Sequence, residues 1–307
     1  MKDTITVILL NYFSSEEVKK YYDHMLKRIE NELHFVIVDN SSDFSEWMKL
    51  VELFGGKACL TDSRDKIHAS DRCILLKAPS NLGYAKGNNY GIKVAMREFQ
   101  DKYVLISNSD LVFEENMSFD NWITEFERNK NCAVIGPVIV GIDGNPQSPC
   151  RKMSFNERWG FNLFIYPFNK FLKKNYSEII PIRQMAKVYR IQGSLMFCDV
   201  KKFESVGFFD EHTFLYGEEL ILAERLKKNG FSIMCDPSKT VLHLHNQVIG
   251  TFYNSMKRDL MKYKSEYYYY TAYLNYPKII YPIGNIMIYF YYCKKWIIEK
   301  IKKGRKR

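Results

Sequence analysis

The sequence predicts an α/β fold: a mainly parallel mixed sheet flanked by helices, continued by a helical C-terminal extension. Three observations predict it. Short apolar runs alternate with helical patterns through the first hundred residues. Polar clusters follow the C-terminal ends of those runs, and the chain from about residue 252 reads as helical and rich in tyrosine.

In order, residues 5–10 form a buried strand and 15–30 a helix capped by Ser14 or Ser15. Residues 34–38 are a second strand ending at Asp39-Asn40-Ser41-Ser42, and 74–77 a third. A Gly- and Asn-rich loop precedes a helix at 86–99, and a fourth strand at 103–106 ends at Asn108-Ser109-Asp110. Strand–helix alternation of this kind builds a sheet covered on both faces, with ligands bound at the strands' carboxyl ends. Further on, 133–140 and 188–198 have strand character, and 141–148 is a turn-rich loop. Residues 154–185 are aromatic and basic without a clean period. A helix at 218–229 stops at Gly230, short strands follow at 231–235 and 240–244, and Pro277 and Pro282 break the C-terminal helix. We divide the chain into a catalytic-type domain at 1–250 and an extension at 251–307.

The 307 residues suffice for one large domain plus an appendage, and 46% hydrophobic residues is ordinary for a protein with a real core. The charge is uneven. Of a formal net +10, +7 falls between Lys294 and Arg307, where eight Lys/Arg meet one Glu. Such a tail implies an anionic partner, nucleic acid or lipid. The seven cysteines are scattered without a C-x-x-C pair, so neither a disulfide framework nor a zinc site is indicated. The N-terminal apolar stretch is too short for a signal peptide, and a reducing cytoplasm is the expected location.

Several residues carry potential chemistry, each with a bland reading beside it. Asp110, just past a buried strand, could hold a divalent cation or merely form an Asx turn. Glu218 and Glu219 open a helix, where they either complement its dipole or supply a general base. His243 is a structural strand histidine or a nitrogen ligand for Mn²⁺. The loop Asn81-Leu-Gly-Tyr-Ala-Lys-Gly-Asn-Asn-Tyr-Gly91 has neither G-x-G-x-x-G nor GK[ST] spacing, but its glycines imply tight turns and backbone exposed to a ligand.

The order of these pieces is more specific than any one. Asn11-Tyr12, Asp39-Asn40-Ser41-Ser42, Asn81-x-Gly83-x-x-x-Gly87-x-Asn89-x-Gly91, Asn108-Ser109-Asp110, Gly193-Ser194, Gly207-Phe-Phe-Asp210-Glu211 and Gly217-Glu218-Glu219 stand in one sequence order. In that order they resemble the family 2 glycosyltransferases of the rhamnosyltransferase-like group, over about residues 4–250. The resemblance implies a GT-A fold and an inverting hexosyltransferase using a nucleoside diphosphate sugar, with a saccharide or lipid-linked saccharide acceptor, in cell-surface polysaccharide synthesis. It implies that Asn11, Tyr12 and Asp39 face the nucleoside, with Asn81 and Asn89 lining the donor pocket. Asp110 and His243 would hold Mn²⁺ or Mg²⁺, and Arg151 would meet phosphate. Gly193 and Ser194 would contact the acceptor, and Glu219, or its neighbour Glu218, would be the base. Two departures stand out: Asn108 replaces the first carboxylate of a D-x-D motif, and Glu219 stands where the family has Asp.

Residues 279–293 are apolar but contain Pro282, Gly284 and Asn285, too short and interrupted to span a bilayer. With Trp296 and the basic cluster they fit an interfacial anchor on anionic lipid, placing the enzyme peripherally on the inner face of the cell membrane. The alternatives are a helix packed on the catalytic domain, and a nucleic-acid binder using the Tyr-Lys interleaving at 261–276, for which no RRM, KH or helix-turn-helix signature is present. A sugar nucleotidyltransferase would need a Gly-rich basic loop after the first strand, and residues 11–17 have none.

Overall fold

The computed structural model of the chain describes residues 3–55, 66–160, 177–244 and 255–304. The expected alternation is present. Strand β1 (Ile5–Asn11) leads to α1 (Ser15–Arg28), β2 (Leu33–Asp39), α2 (Phe44–Leu53), β3 (Lys66–Ser70), β4 (Cys73–Lys77), α3 (Gly83–Glu98) and β5 (Tyr103–Ser107). There follow β6 (Leu111–Val112), α4 (Asp120–Arg128), β7 (Cys132–Gly141), β8 (Ala186–Val188) and β9 (Leu195–Asp199). The chain continues through α5 (Val200–Ser205), α6 (Glu218–Lys228), β10 (Ser232–His243), α7 (Ser255–Tyr268) with a π-helical continuation (Tyr269–Tyr273), and α8 (Ile280–Gly304).

One sheet runs β3-β4-β2-β1-β5-β9-β7-β10-β6, with β8 added on β10. It is parallel through β4, β2, β1 and β5, and β9 enters antiparallel beside β5. That reversal matters for the site. Pairing of Ser107 with Leu195 brings residues 193–194 next to Asn108, whose N–H donates to the Ser194 carbonyl at 2.9 Å. At the far edge, β6 pairs antiparallel with β10 so that His243 opposes Leu111, beside Asp110.

Local chemistry explains most elements. Helix α1 buries Val18, Tyr21 and Met25 at helical spacing, with Glu16 and Glu17 at its N-terminus and Lys27 and Arg28 at its C-terminus, complementing the dipole. Ser14 stands at its N-cap position but makes no capping bond; its hydroxyl donates to Asn11 Oδ1 instead. Helix α2 is capped by Asp43, which accepts from the Glu46 N–H.

Three expectations change. The glycine-rich segment is mostly the first turns of α3, which begins at Gly83, rather than a loop. A Cβ on Gly91 would sit 2.9 Å from Ile8 and 3.0 Å from Val38, so the glycines let α3 lie close to the sheet. The two short strands near the end are one strand, β10, with an irregularity between Asp236 and Thr240. Pro282 does not break the last helix, because α8 starts at Ile280 and a first-turn proline costs no hydrogen bond.

Two apolar clusters fill the two faces of the sheet. A third joins the tyrosine-rich end to the body: Tyr263, Tyr269 and Tyr270 are buried with Trp159, Leu220, Ile221 and Ile288. Gly284 of α8 lies directly against the Tyr263 ring, with no room for a Cβ. The interleaved tyrosines thus include core residues, not only a stacking surface. Among the described residues no helix is long and apolar enough to cross a membrane.

Candidate active site

Two cavities open at the carboxyl ends of the strands, where this class of sheet binds ligands. The smaller, about 160 Å³, is lined by Leu10, Tyr12, Asn40, Asn81, Tyr84 and Phe214, among others. The larger, about 420 Å³, is lined by Gln147, Arg158, Arg190, Tyr216, Glu219 and Glu266, among others. Tyr84 joins them: its ring lines the smaller cavity and its hydroxyl donates to the Gly193 carbonyl at 2.6 Å. The Gly193 N–H in turn donates to Glu219 Oε1 at 3.0 Å.

The adjacent carboxylates at the start of α6 have opposite environments. Glu218 is 3% exposed, and its Oε1 has no hydrogen-bond partner among the described residues. Burial, reinforced by the neighbouring Glu219 charge, pushes its carboxyl well above the ordinary range. Glu219 is only partly buried and borders the larger cavity. Gly193 is necessarily small, because a Cβ there would lie 2.7 Å from Glu219 Oε1. Ser194 is buried, and its hydroxyl also lacks a partner among the described residues.

The other expected residues divide into those that reach a cavity and those that brace it. Tyr12 and Asn81 line the smaller cavity, joined by Asn40 and Asn108. Asn11 and Asp39, paired in register across β1 and β2, are fully buried. Asn11 Nδ2 donates to Asp39 Oδ1 at 3.0 Å, and Ser41 donates to both Asp39 oxygens. Burial raises the Asp39 carboxyl, and these bonds counter that only in part. Asn89, expected along the donor pocket, is turned to the loop before α6: its amide holds both the N–H and the carbonyl of Phe209 and donates to Glu211. Arg151 is directed to Glu157 at 2.9 Å and to the Ser177 carbonyl.

Asp110 and His243 do converge. Nε2 of His243 lies 3.3 Å from Asp110 Oδ1, and its Nδ1 donates to Gln147 Oε1 at 2.9 Å. The pair thus presents one imidazole nitrogen and one carboxylate oxygen side by side, both common metal-ligand types. Among the described residues no three His, Cys, Asp or Glu side chains surround one point. One carboxylate and one imidazole would fit a divalent ion only as part of its ligand set, the remainder coming from substrate phosphates and water. Gln147 also borders the larger cavity, so it connects the pair to Glu219's surroundings. His245 lies outside the described residues.

Sequence reasoning missed most of the larger cavity's charged wall. Arg158 binds Glu178 at 2.7 Å and Glu266 at 2.6 and 2.7 Å, and Arg190 also pairs with Glu178. Lys262 lines the same wall. No periodic or motif signal marks these residues, since their partners come from distant segments.

A sheet of this topology, with polar clusters at its carboxyl ends and a carboxylate bordering a cleft, defines an α/β ligand-binding fold. Residues 6–190 match the model of glycosyl transferase family 2, and the chain belongs to that family. It is similar to the low-salt glycan biosynthesis hexosyltransferase Agl10 of Haloferax volcanii, 26% identical over 90% of this chain and 75% of that protein. It is also similar to the N-acetylglucosaminyl-diphospho-decaprenol L-rhamnosyltransferase of Mycobacterium tuberculosis, 24% identical over 79% of this chain and 76% of that protein. Among solved structures, the mannosyltransferase PcManGT of Pyrobaculum calidifontis, in complex with GDP-Man and Mn²⁺, superposes with TM-score 0.55 at 13% identity. That match covers 94% of this chain and 68% of the other. GalNAc-T7, solved with UDP, GalNAc and Mn²⁺, gives TM-score 0.54 at 12% identity over 86% and 50%. The fold is GT-A.

Proposed function

We propose that the protein is an inverting glycosyltransferase that moves a sugar from a nucleoside diphosphate sugar to a lipid-linked saccharide in cell-surface polysaccharide synthesis. Rhamnosyl transfer is the specificity we favour, on the likeness to the decaprenol-linked rhamnosyltransferase. The observation carrying the reading is the placement of Glu219: a carboxylate oriented by the Gly193 N–H, facing the larger cavity, two hydrogen bonds from the smaller through Gly193 and Tyr84. In this reading the nucleoside occupies the smaller cavity against Tyr12, Asn40 and Asn81, braced from behind by Asn11 and Asp39. The acceptor occupies the larger, beside Gly193 and Ser194. Glu219 takes the proton of the acceptor hydroxyl as that oxygen attacks the anomeric carbon and the bond to the diphosphate breaks. Arg190 and Arg158, more than Arg151, border the space into which anionic groups would extend.

Asp110 and His243 would hold a divalent cation, which supplies charge stabilisation to the departing diphosphate. The exposed side chains of α8 support peripheral attachment to the inner membrane face. Ile286, Tyr289, Phe290, Trp296 and Ile297 share one stripe, opposite the Gly284 and Ile288 face that packs inward. The stripe runs into the basic terminus, a combination suited to anionic lipid.

The test is thermal stabilisation by a panel of nucleoside diphosphate sugars, with Mn²⁺ and with EDTA. A cognate donor at 100 times its Kd should add roughly 2.7 kcal/mol. Asp110→Asn should lose the Mn²⁺-dependent part of that gain. A panel in which no sugar nucleotide stabilises the protein would sink the transferase reading; equal stabilisation in EDTA would remove the metal.

A further inference from the structure

The loop from Asp210 to Gly217 is the partition between the two cavities. Phe214 and Leu215 line the smaller, Tyr216 and Gly217 line the larger, and Glu219 follows at once. On the sheet side it is held by Asn89 at Phe209 and by the Tyr84 N–H, which donates to the Phe214 carbonyl at 2.8 Å. On the other side three hydroxyls within the nine residues 265–273 hold it. Ser265 Oγ donates to the Leu215 carbonyl at 2.9 Å. The hydroxyls of Tyr273 and Tyr268 donate to Asp210 Oδ2 at 2.5 and 3.2 Å.

Asp210 is 2% exposed and also receives Arg225 at 3.1 Å and the His212 N–H at 2.9 Å. Burial alone would raise its carboxyl, but the Tyr273 hydroxyl, His212 and Arg225 outweigh it and hold it at about 2. The same stretch carries Glu266, 1% exposed, which borders the larger cavity and accepts from Trp159 Nε1 and twice from Arg158. The tyrosine-rich helix is thus built into the site's wall, 50 to 63 residues after the loop residues it grips.

We propose that Tyr268 and Tyr273, acting through Asp210, and Ser265, acting through Leu215, are positioning residues that fix the partition loop and with it Glu219. Part of the C-terminal extension then belongs to the catalytic unit. The role assigned to Glu219 above is the premise. The hydroxyls touch neither cavity, so their removal leaves the binding groups in place and loosens only their support.

The experiment compares full-length Tyr268→Phe/Tyr273→Phe with Tyr269→Phe. The latter removes a hydroxyl from the same helix that bonds Tyr189, away from the loop. Ser265→Ala is a milder variant should the double one fold poorly. Hydrogen exchange across 211–217 should speed up about tenfold in the double variant and in Ser265→Ala, but not in Tyr269→Phe. Turnover per folded molecule should fall about 10–100-fold in the double variant, with donor affinity within a few-fold of wild type. Unchanged protection of 211–217, an equal loss in Tyr269→Phe, or faster exchange with unchanged turnover overturns the proposal. Absence of turnover in the wild type would instead count against the transferase reading, and the exchange comparison would still decide whether the clamp exists.

Discussion

Glu218 and Glu219 are chemically alike and sequentially adjacent, yet helical geometry sends them about 100° apart. One enters the protein interior and the other borders the cleft. Glu218 is 3% exposed and does not border the cleft, so its carboxyl does not meet a substrate hydroxyl there. Glu219→Gln keeps size and the Gly193 contact while removing basicity, and should lower kcat by about 10²–10⁴-fold with donor binding intact. Glu218→Gln keeps the size of a buried side chain that does not border the cleft and should leave kcat within a few-fold. Steady-state kinetics on both variants decides, and a comparable loss in Glu218→Gln would transfer the role. Gly193→Ala gives an independent check from the backbone side, since its Cβ would displace the Glu219 carboxylate.

At the scale of elements, α8 is apolar on two faces for two reasons. Gly284, Ile288 and Tyr292 pack inward, Tyr292 donating to Asp259 of α7 at 2.7 Å. The outward stripe is exposed, with Ile286 at 68% and Phe290 at 72%. Truncating the helix would uncover Tyr263, so point changes on the outer stripe are the cleaner probe. Each large apolar side chain is worth about 1.5–3 kcal/mol when fully buried. Ile286→Glu/Phe290→Glu should therefore lose flotation with anionic vesicles while keeping its melting temperature and donor binding. Flotation as strong as wild type would end the anchor reading; a wild-type protein that elutes as a dimer, and a variant as a monomer, would assign the stripe to a second copy.

For the whole molecule, acid stability should track the carboxylates that hold distant segments together. Arg190 and Arg158 overcome the effect of burial on Glu178 and bring it to about 2, and Asp210 stands at about 2. Groups with depressed folded-state pKa values stabilise above their unfolded values and lose that contribution as pH falls through the folded ones. The window is therefore roughly pH 4.5 to 2. Glu218 has the opposite sign: its raised pKa favours folding in acid and opposes it as pH rises, so it partly offsets the acid loss. Urea midpoints measured from pH 6 to 3 should fall, and Asp210→Asn should flatten that fall while lowering the midpoint at pH 6. A variant with the wild-type slope would show that Asp210 is not among the groups responsible.

The sequence by itself determined the strand–helix alternation of the parallel half of the sheet, the order of the polar clusters and the membership of the family, but not β3, β6, α2, α4 or α5. These are local quantities: an apolar run, a 3.6-residue period, a carboxylate one step past a strand. The nearness of Asp110 to His243, and the position of Tyr12, Asn81 and Glu219 at cavity walls, follow from strand order, which carries their segments to one edge of the sheet. Only the tertiary structure decided what each polar group does with its hydrogen bonds. Asn89 finds Phe209 across 120 residues, and Asp210 finds Tyr273 across 63. The start of α3 at Gly83 was read three residues late, because Gly83 is fixed by its close approach to the Phe214 carbonyl, which no local pattern encodes. The tyrosines of α7 were ambiguous on the same ground: burial, not composition, separates a core ring from a surface one, and burial exists only once distant segments have met.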